Sequence, residues 1–228
     1  MRSNGADIVT LIAKVIFADY NRLMNTLPTR ILSLDAATTA CSVALWVDGQ
    51  IVAKRFEAMS RGQSEALLPM VSAVLKESGI DKPDLIAVTV GPGAFTGIRI
   101  GLAAARGLGL AWNIPVAGIS TTLALAATVP AKDRQGHSIV VVLDSKREDR
   151  WVQVFDDQLN ALTPPQSALP DQIKSMVTAP AIVLDDPTLY TDASIVAQLA
   201  ADGWKNGTTL PPQPLYLRPA DVTMPKLS

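Results

Sequence analysis

An apolar run that ends in aspartate occurs twice in this chain. Each copy leads, after a short loop, into a second apolar run. Ile31-Leu32-Ser33-Leu34-Asp35 is the first copy and Val140-Val141-Val142-Leu143-Asp144 the second. Laid side by side without a gap, Val43, Leu45 and Trp46 stand opposite Val152, Val154 and Phe155. A short apolar run bounded by turn residues reads as a buried strand. The repeat therefore predicts two lobes on one plan, strand, Asp-headed loop and strand, with both aspartates facing a shared cleft.

The intervening pattern fills in the first lobe. Asp48-Gly49 between Cys41–Val47 and Ile51–Phe56 has the chemistry of a two-residue hairpin turn, where positive φ is needed. The spacing predicts a helix from Ser60 to Gly79, with Ser60 and Gln63 at capping-box spacing, Leu67, Val71, Val74 and Leu75 as its stripe, and Gly79 as its C-terminal cap. A strand over Asp84–Val90, a helix over Ala94–Trp112, a strand over Pro115–Ile119 and a helix capped by Ser120 follow. Strand–helix–strand order makes this part of the sheet parallel. Beyond it, strands are expected at Val140–Leu143, Trp151–Phe155 and Ala181–Leu184, and a helix at Ala193–Leu199, before the stiff connector Pro211-Pro212-Gln213-Pro214 and the terminal Leu215–Leu217.

Gly91-Pro92-Gly93-Ala94-Phe95-Thr96-Gly97 stands between a strand and a helix. Backbone N–H groups at such a place attract anions. However, the Walker loop needs a lysine that is missing here, and the dinucleotide fingerprint wants glycine where Thr96 stands. A second pattern says more. Gly93, Gly97, Gly101, Ala105 and Gly109 recur every fourth residue, with Ala103, Ala104 and Gly107 adding small positions. Each interior helix glycine costs about 0.5–1 kcal/mol against alanine, so something must compensate. Two compensations fit a row of missing side chains: close packing on the chain's own sheet, or a seam for a partner helix.

Composition narrows the chemistry. The chain has 228 residues, 48% of them hydrophobic and 18% charged, enough for one large domain or two small lobes. A formal charge of -1 is unlike a protein that grips a phosphate backbone alone. Cys41 is the only cysteine and His137 the only histidine. No intrachain disulfide can form, which suits a reducing cytoplasm, and no two-His metal site can be built. Cys41 on an apolar strand and His137 in a polar loop read as a packed thiol and a surface imidazole rather than a reactive dyad. Ile8–Phe17 is apolar but holds Lys14. It is far shorter than the roughly 20 residues of a membrane span and lacks a cleavage-site pattern. Met24 is the expected biological start, and the contrasting expectation is a short amphipathic helix lying on the fold.

Residues Ile31–Leu45 (ILSLDAATTACSVAL), Leu67-Leu68-Pro69-Met70 and Gly91–Gly101 (GPGAFTGIRIG), with Gly118-Ile119-Ser120-Thr121, Leu143-Asp144 and Pro214-Leu215-Tyr216-Leu217-Arg218, closely resemble the TsaB (YeaZ) family. The resemblance runs in order from about Arg30 to Arg218. It implies an α/β, actin-like (Hsp70-like, ASKHA) two-lobed fold. In domain terms this gives an extension over 1–28, a first lobe over 29–120 with the partner-binding helices, and a smaller second lobe over 121–228. It implies a non-catalytic scaffold or activator in the machinery that installs threonylcarbamoyladenosine in tRNA. That subunit pairs with the catalytic subunit TsaD, is joined by TsaE and meets tRNA only through the complex.

On that reading Leu67, Val71, Gly93, Phe95, Thr96, Gly97, Gly101 and Ala105 are the candidate partner-facing positions, and a homodimer through the same seam is expected of the isolated chain. Asp35, Thr38 and Thr39 take the place of the first phosphate loop of actin-like ATPases, and Asp144-Ser145-Lys146 the second. Both loops lack the family glycine, since Ala36-Ala37 follow Asp35. No tightly bound cofactor is expected; nucleotide and Mg²⁺ at the joint with the partner are the only candidates. Gln63-Ser64 replaces the His-Ser pair that often opens the first helix. The alternative function is an autonomous actin-like ATPase or small-molecule kinase with the two aspartates across its cleft. A metallopeptidase is set aside because there is one histidine.

Overall fold

The computed structural model describes residues 28–217. The expected extension, apart from Pro28, and Arg218 lie outside the described residues, as does the question of Met24.

Sheet A begins with β1 (Arg30–Asp35), β2 (Ala40–Val47) and β3 (Gln50–Ala58). The turn between β2 and β3 has positive φ at both Asp48 and Gly49, as the sequence demanded. Then come α1 (Gln63–Ser78), β4 (Leu85–Gly91), α2 (Phe95–Trp112) and β5 (Val116–Ser120). The strand order is β3-β2-β1-β4-β5, with β1, β4 and β5 parallel and the hairpin strands antiparallel. Two short helices, α3 (Thr121–Ala126) and α4 (Ala131–Arg134), lead into sheet B. That sheet contains β6 (Ser138–Asp144), β7 (Arg150–Phe155), β8 (Gln166–Ala168) and β9 (Ala181–Leu184), in the order β8-β7-β6-β9, with α5 (Pro170–Met176) inserted before β9.

Sheet B repeats the first four strands of sheet A, with β6 antiparallel to β7 and parallel to β9. The ungapped overlay is off by one residue in its second strand. Asp35 pairs with Ser42, seven residues on, whereas Asp144 pairs with Arg150, six residues on. A single-residue shift turns every side chain to the opposite face, so the side-by-side residues of the overlay are not structural equivalents.

Helices α1 and α2 cover one face of sheet A, closing a core of Leu32, Leu34, Val43, Leu67, Val71, Val88, Ile98 and Leu102. The other face is covered by α6 (Ala193–Asn206), through Val196, Ala197, Ala200 and Trp204 on Ile31, Leu85 and Ala117. This corrects the boundary expected at residue 120. The apolar stripe of α6 fits the open face of sheet A, and the chain crosses back to reach it. Lobe 1 therefore takes in residues 193–217, and lobe 2 is the segment between. Sheet B packs on α5 through Ile173 and on α3 through Leu125 and Ala126.

After α6 the chain lies along lobe 1. Leu210 and Gly118 exchange backbone hydrogen bonds, Leu215 N–H donates to the Val90 carbonyl (2.8 Å), and Arg106 donates to the Pro212 carbonyl. The start of α1 also differs from expectation. Gly62, with φ 97°, is its N-cap, and the Gln63 amide donates to the Met59 carbonyl at 3.1 Å. The buried Gln63 thus fastens the chain entering the helix in place of a Ser60 capping box.

Candidate functional site

The four-residue row of small positions on α2 points inward. A Cβ at Gly93 would run into the Ala37 carbonyl, and one at Gly97 into the Ala36 carbonyl. The N-terminus of α2 lies directly against the β1–β2 loop, with Ala94 N–H donating to Ala37 O at 2.8 Å. Further along, a Cβ at Gly101 would meet Val88 at 3.4 Å, and Ala105 is buried in the core. Leu67 and Val71 are core residues of the same layer. The expectation that Leu67, Val71, Gly93, Gly97, Gly101 and Ala105 face a partner is therefore corrected. The missing bulk at Gly93, Gly97 and Gly101 lets this chain's own loop and sheet approach, and that close packing is the compensation for the helix glycines.

Phe95 and Thr96 are exposed. Phe95 stacks with Tyr216 (centroids 5.3 Å apart), and the Arg99 guanidinium sits 3.6 Å over its ring while Arg99 Nε donates to the Tyr216 hydroxyl at 2.8 Å. A different set of residues, small ones flanked by leucines, forms the outer side of the helical layer. Thr96, Ala103, Gly107 and Leu110 on α2 and Ser64, Leu68 and Ser72 on α1 are all exposed. A Cβ at Gly107 would meet nothing within 4 Å. Leu68 is 51% and Leu110 85% exposed. Ala103 and Gly107 carried the signal in the sequence, but a spacing of four does not tell which of two neighbouring rows turns outward.

A cavity of about 790 Å³ separates the lobes. Thr38 and Thr39 line it from lobe 1 and Asp144, Lys146 and Arg150 from lobe 2, with Phe95 and Tyr216 at its edge. Asp35 does not reach it. Its side chain is fully buried, with Oδ1 accepting from the Thr89 hydroxyl (2.5 Å) and Ala37 N–H (3.2 Å). Oδ2 has no hydrogen-bond partner among the described residues. Burial pushes the Asp35 carboxyl up to about 6, although the Thr191 and Thr89 hydroxyls and the Ala37 N–H pull the other way. Asp144 lines the cavity instead and is exposed. The Lys146 ammonium, 2.8 Å away, and the Lys146 N–H hold it below the usual carboxylate range. The two aspartates therefore do not face one another across a cleft.

Nucleotide with Mg²⁺ is the group an actin-like plan implies here, and these loops do not fit it. Asp35 is sealed in the core, the Ala36 and Ala37 carbonyls are turned onto Gly97 and Gly93, and Asp144 is engaged by Lys146. Among the described residues no group of three His, Cys, Asp or Glu side chains stands close enough to hold a metal ion. Cys41 and His137 are apart, one in the core of lobe 1 and the other on the surface before β6. Burial, with Asp35 and Glu57 nearby, pushes the thiol up to about 11, so it stays protonated and unreactive. Among the described residues, no helix is long and apolar enough to cross a membrane.

Sheets in the order β3-β2-β1-β4-β5 and β8-β7-β6-β9, facing each other over a cleft, define a two-lobed protein of actin-like plan. Comparison with known proteins gives its family. The sequence profile of TsaD, tRNA N6-adenosine threonylcarbamoyltransferase, matches residues 55–211, and the chain belongs to that family, on the branch of the proteins called TsaB or YeaZ. The TsaB tRNA threonylcarbamoyladenosine biosynthesis protein of Escherichia coli K12 is 38% identical over 131 residues, 57% of this chain and 56% of that protein. Its Haemophilus influenzae counterpart is 34% identical over 52% of this chain and 50% of its own length. The chain thus spans about half the length of these relatives. An uncharacterised protein of Mycobacterium tuberculosis is 30% identical over 84% of this chain and 93% of its own. The crystal structure of YeaZ from Pseudomonas aeruginosa superposes with a TM-score of 0.69 at 26% identity, covering 83% of this chain and all of that one.

Proposed function

We propose that this chain is a non-catalytic scaffold or activator subunit of the machinery that makes threonylcarbamoyladenosine in tRNA, and that it pairs with the catalytic subunit TsaD. The observation that carries the reading is the outward face of α1 and α2, where Leu68 and Leu110 project beside the open positions Ala103 and Gly107. Small residues on a helix let a second backbone come near, and the flanking leucines supply apolar area to bury. Phe95 and Thr96, at the start of α2, extend this face toward the cleft. TsaE joins the assembly, and tRNA is held by the complex, in keeping with a formal charge of -1. Any nucleotide and Mg²⁺ at the joint would draw its ligands from the partner. The setting is the cytoplasm, and the same face serves a homodimer when the chain is alone. The burial of Asp35 counts against an autonomous ATPase or kinase.

The test uses Gly107→Arg and Leu110→Asp, which touch no core residue. Titration calorimetry against the cognate TsaD is expected to lose at least about tenfold in affinity (about 1.4 kcal/mol) with circular dichroism and melting unchanged. A transfer assay with TsaD and TsaE is expected to need this chain and to fail with the variants. Unaltered affinity would move the joint elsewhere, and tRNA modification by this chain alone would end the non-catalytic reading.

A further inference from the structure

Helix α2 carries no acidic residue, and its two cations, Arg99 and Arg106, are both exposed. They stand two helical turns apart, about 10 Å along the axis. On the helix surface they fall between the outward Leu110 and Phe95, and so border the outward face. Both are fixed in place by the stretch that follows α6. Arg99 Nε donates to the Tyr216 hydroxyl (2.8 Å), and its guanidinium lies 3.6 Å over the Phe95 ring. Arg106 donates through Nε and Nη2 to the Pro212 carbonyl. The stretch itself is stiffened by Pro211, Pro212 and Pro214 and tied down by the Leu215 N–H on Val90.

These anchors hold the two side chains without neutralising them. A hydroxyl, a ring and a carbonyl have no net charge, and among the described residues neither arginine is in an ion pair. The rotamer freedom that an arginine gives up on pairing is already lost here, so an arriving carboxylate meets donors that are in position.

The surroundings decide what kind of anion arrives. Leu68, Ala103, Gly107 and Leu110 are an apolar face, and an apolar patch with a charged rim is the anatomy of a protein interface. Two arginines on a chain of formal charge -1 are a small footprint for RNA. A second copy of this chain is a poor occupant. It would bring two more arginines, while the acids of the two helices are Glu65 and Glu77, and Glu77 is held by Arg55 at 2.6 Å.

We propose that Arg99 and Arg106 are a preset basic rim that receives carboxylates of the catalytic partner subunit and selects that subunit over a second copy of this chain. The inference rests on the pairing with TsaD proposed above. It adds the chemistry that TsaD must present: an apolar patch edged by acidic side chains about two helical turns apart. In a homodimer the excess of like charge weakens the same face.

The test is the full chain with Arg99→Gln and Arg106→Gln together, which removes both charges and leaves an amide to donate to Tyr216 and Pro212. Calorimetry against the cognate TsaD is expected to lose at least about tenfold in affinity near 50 mM salt and less than about threefold near 500 mM. Sedimentation equilibrium of the chain alone is expected to show a homodimer at least about threefold tighter. Damage to the face itself would weaken both pairings, so opposite signs identify the charges. Equal losses at both salt concentrations, or a weaker homodimer, overturn the proposal; if no homodimer forms in either chain, the salt comparison decides alone. Unchanged TsaD affinity with weaker tRNA binding by the complex also overturns it and assigns the arginines to RNA. An unmodified chain that does not bind TsaD removes the underlying reading as well, whereas binding that Gly107→Arg weakens and the glutamines do not removes this inference only.

Discussion

Asp35 and Asp144 end equivalent strands in the two sheets, yet one is sealed in the core and the other is 39% exposed. The loop after Asp35 is pressed against the glycines of α2 and carries only small residues. The loop after Asp144 is free to hold Lys146, at φ 62°, whose ammonium closes on the carboxylate. The difference lies in what packs above each strand end. Lobe 1 lays a long helix across it, and lobe 2 leaves it open to the cavity. The burial of a strand-ending carboxylate is therefore decided by elements far away in sequence.

The contrast can be broken most severely at Gly97. Gly97→Val drives a side chain into the Ala36 carbonyl, and backbone cannot give way cheaply. A loss above about 4 kcal/mol, or no cooperative unfolding at all, is expected in urea titration.

Next in size is the pH dependence, where the two aspartates have opposite signs. Asp35 is raised in the folded state from 3.8 to about 6. Its contribution is whole below the unfolded value and is lost as pH rises through about 6, about 3 kcal/mol in all. Asp144 is lowered, so its small contribution is present above the ordinary carboxylate value and disappears as pH falls through the lower folded one. Urea midpoints for Asp35→Asn and Asp144→Asn against the parent chain between pH 3 and pH 8 separate the two.

A smaller effect is expected for Asp35→Ala at pH 5. Removing the acceptor strands the Thr89 hydroxyl and Ala37 N–H at a cost of about 2 kcal/mol, read from the same titrations. The smallest is Asp144→Asn at pH 7, below about 1 kcal/mol because the Lys146 pair is open to solvent. Equal costs at the two aspartates would erase the distinction between the loops.

Much of this architecture could be read in the residues. The two strand–Asp units, the Asp48-Gly49 turn, the helix closed by Gly79 and the glycine-rich strand-to-helix passage carry local signals, and local chemistry fixes them. What could not be read depends on distance in sequence. Asp35 is bonded to Thr89, 54 residues away, and lies near Thr191; no spacing rule joins them. The return of α6 to lobe 1 is invisible in its own stripe, which would suit either sheet. The inward turn of Gly97 and the outward turn of Gly107 depend on where α2 docks, a matter of tens of degrees of helix rotation. The short β8 and α5 have too few residues for a periodic signal.

The late position of α6 also bears on how this polypeptide acquires its shape during synthesis. When lobe 2 leaves the ribosome, the underside of sheet A, with Ile31, Leu85, Ala87, Ala117 and Ile119, still has no cover, and it must wait for residues 193–206. A product cut short between Leu184 and Ala193 would contain every strand and still display that apolar sheet. Such fragments are expected to bind chaperones and precipitate, whereas premature stops after Asn206 leave the sheet covered.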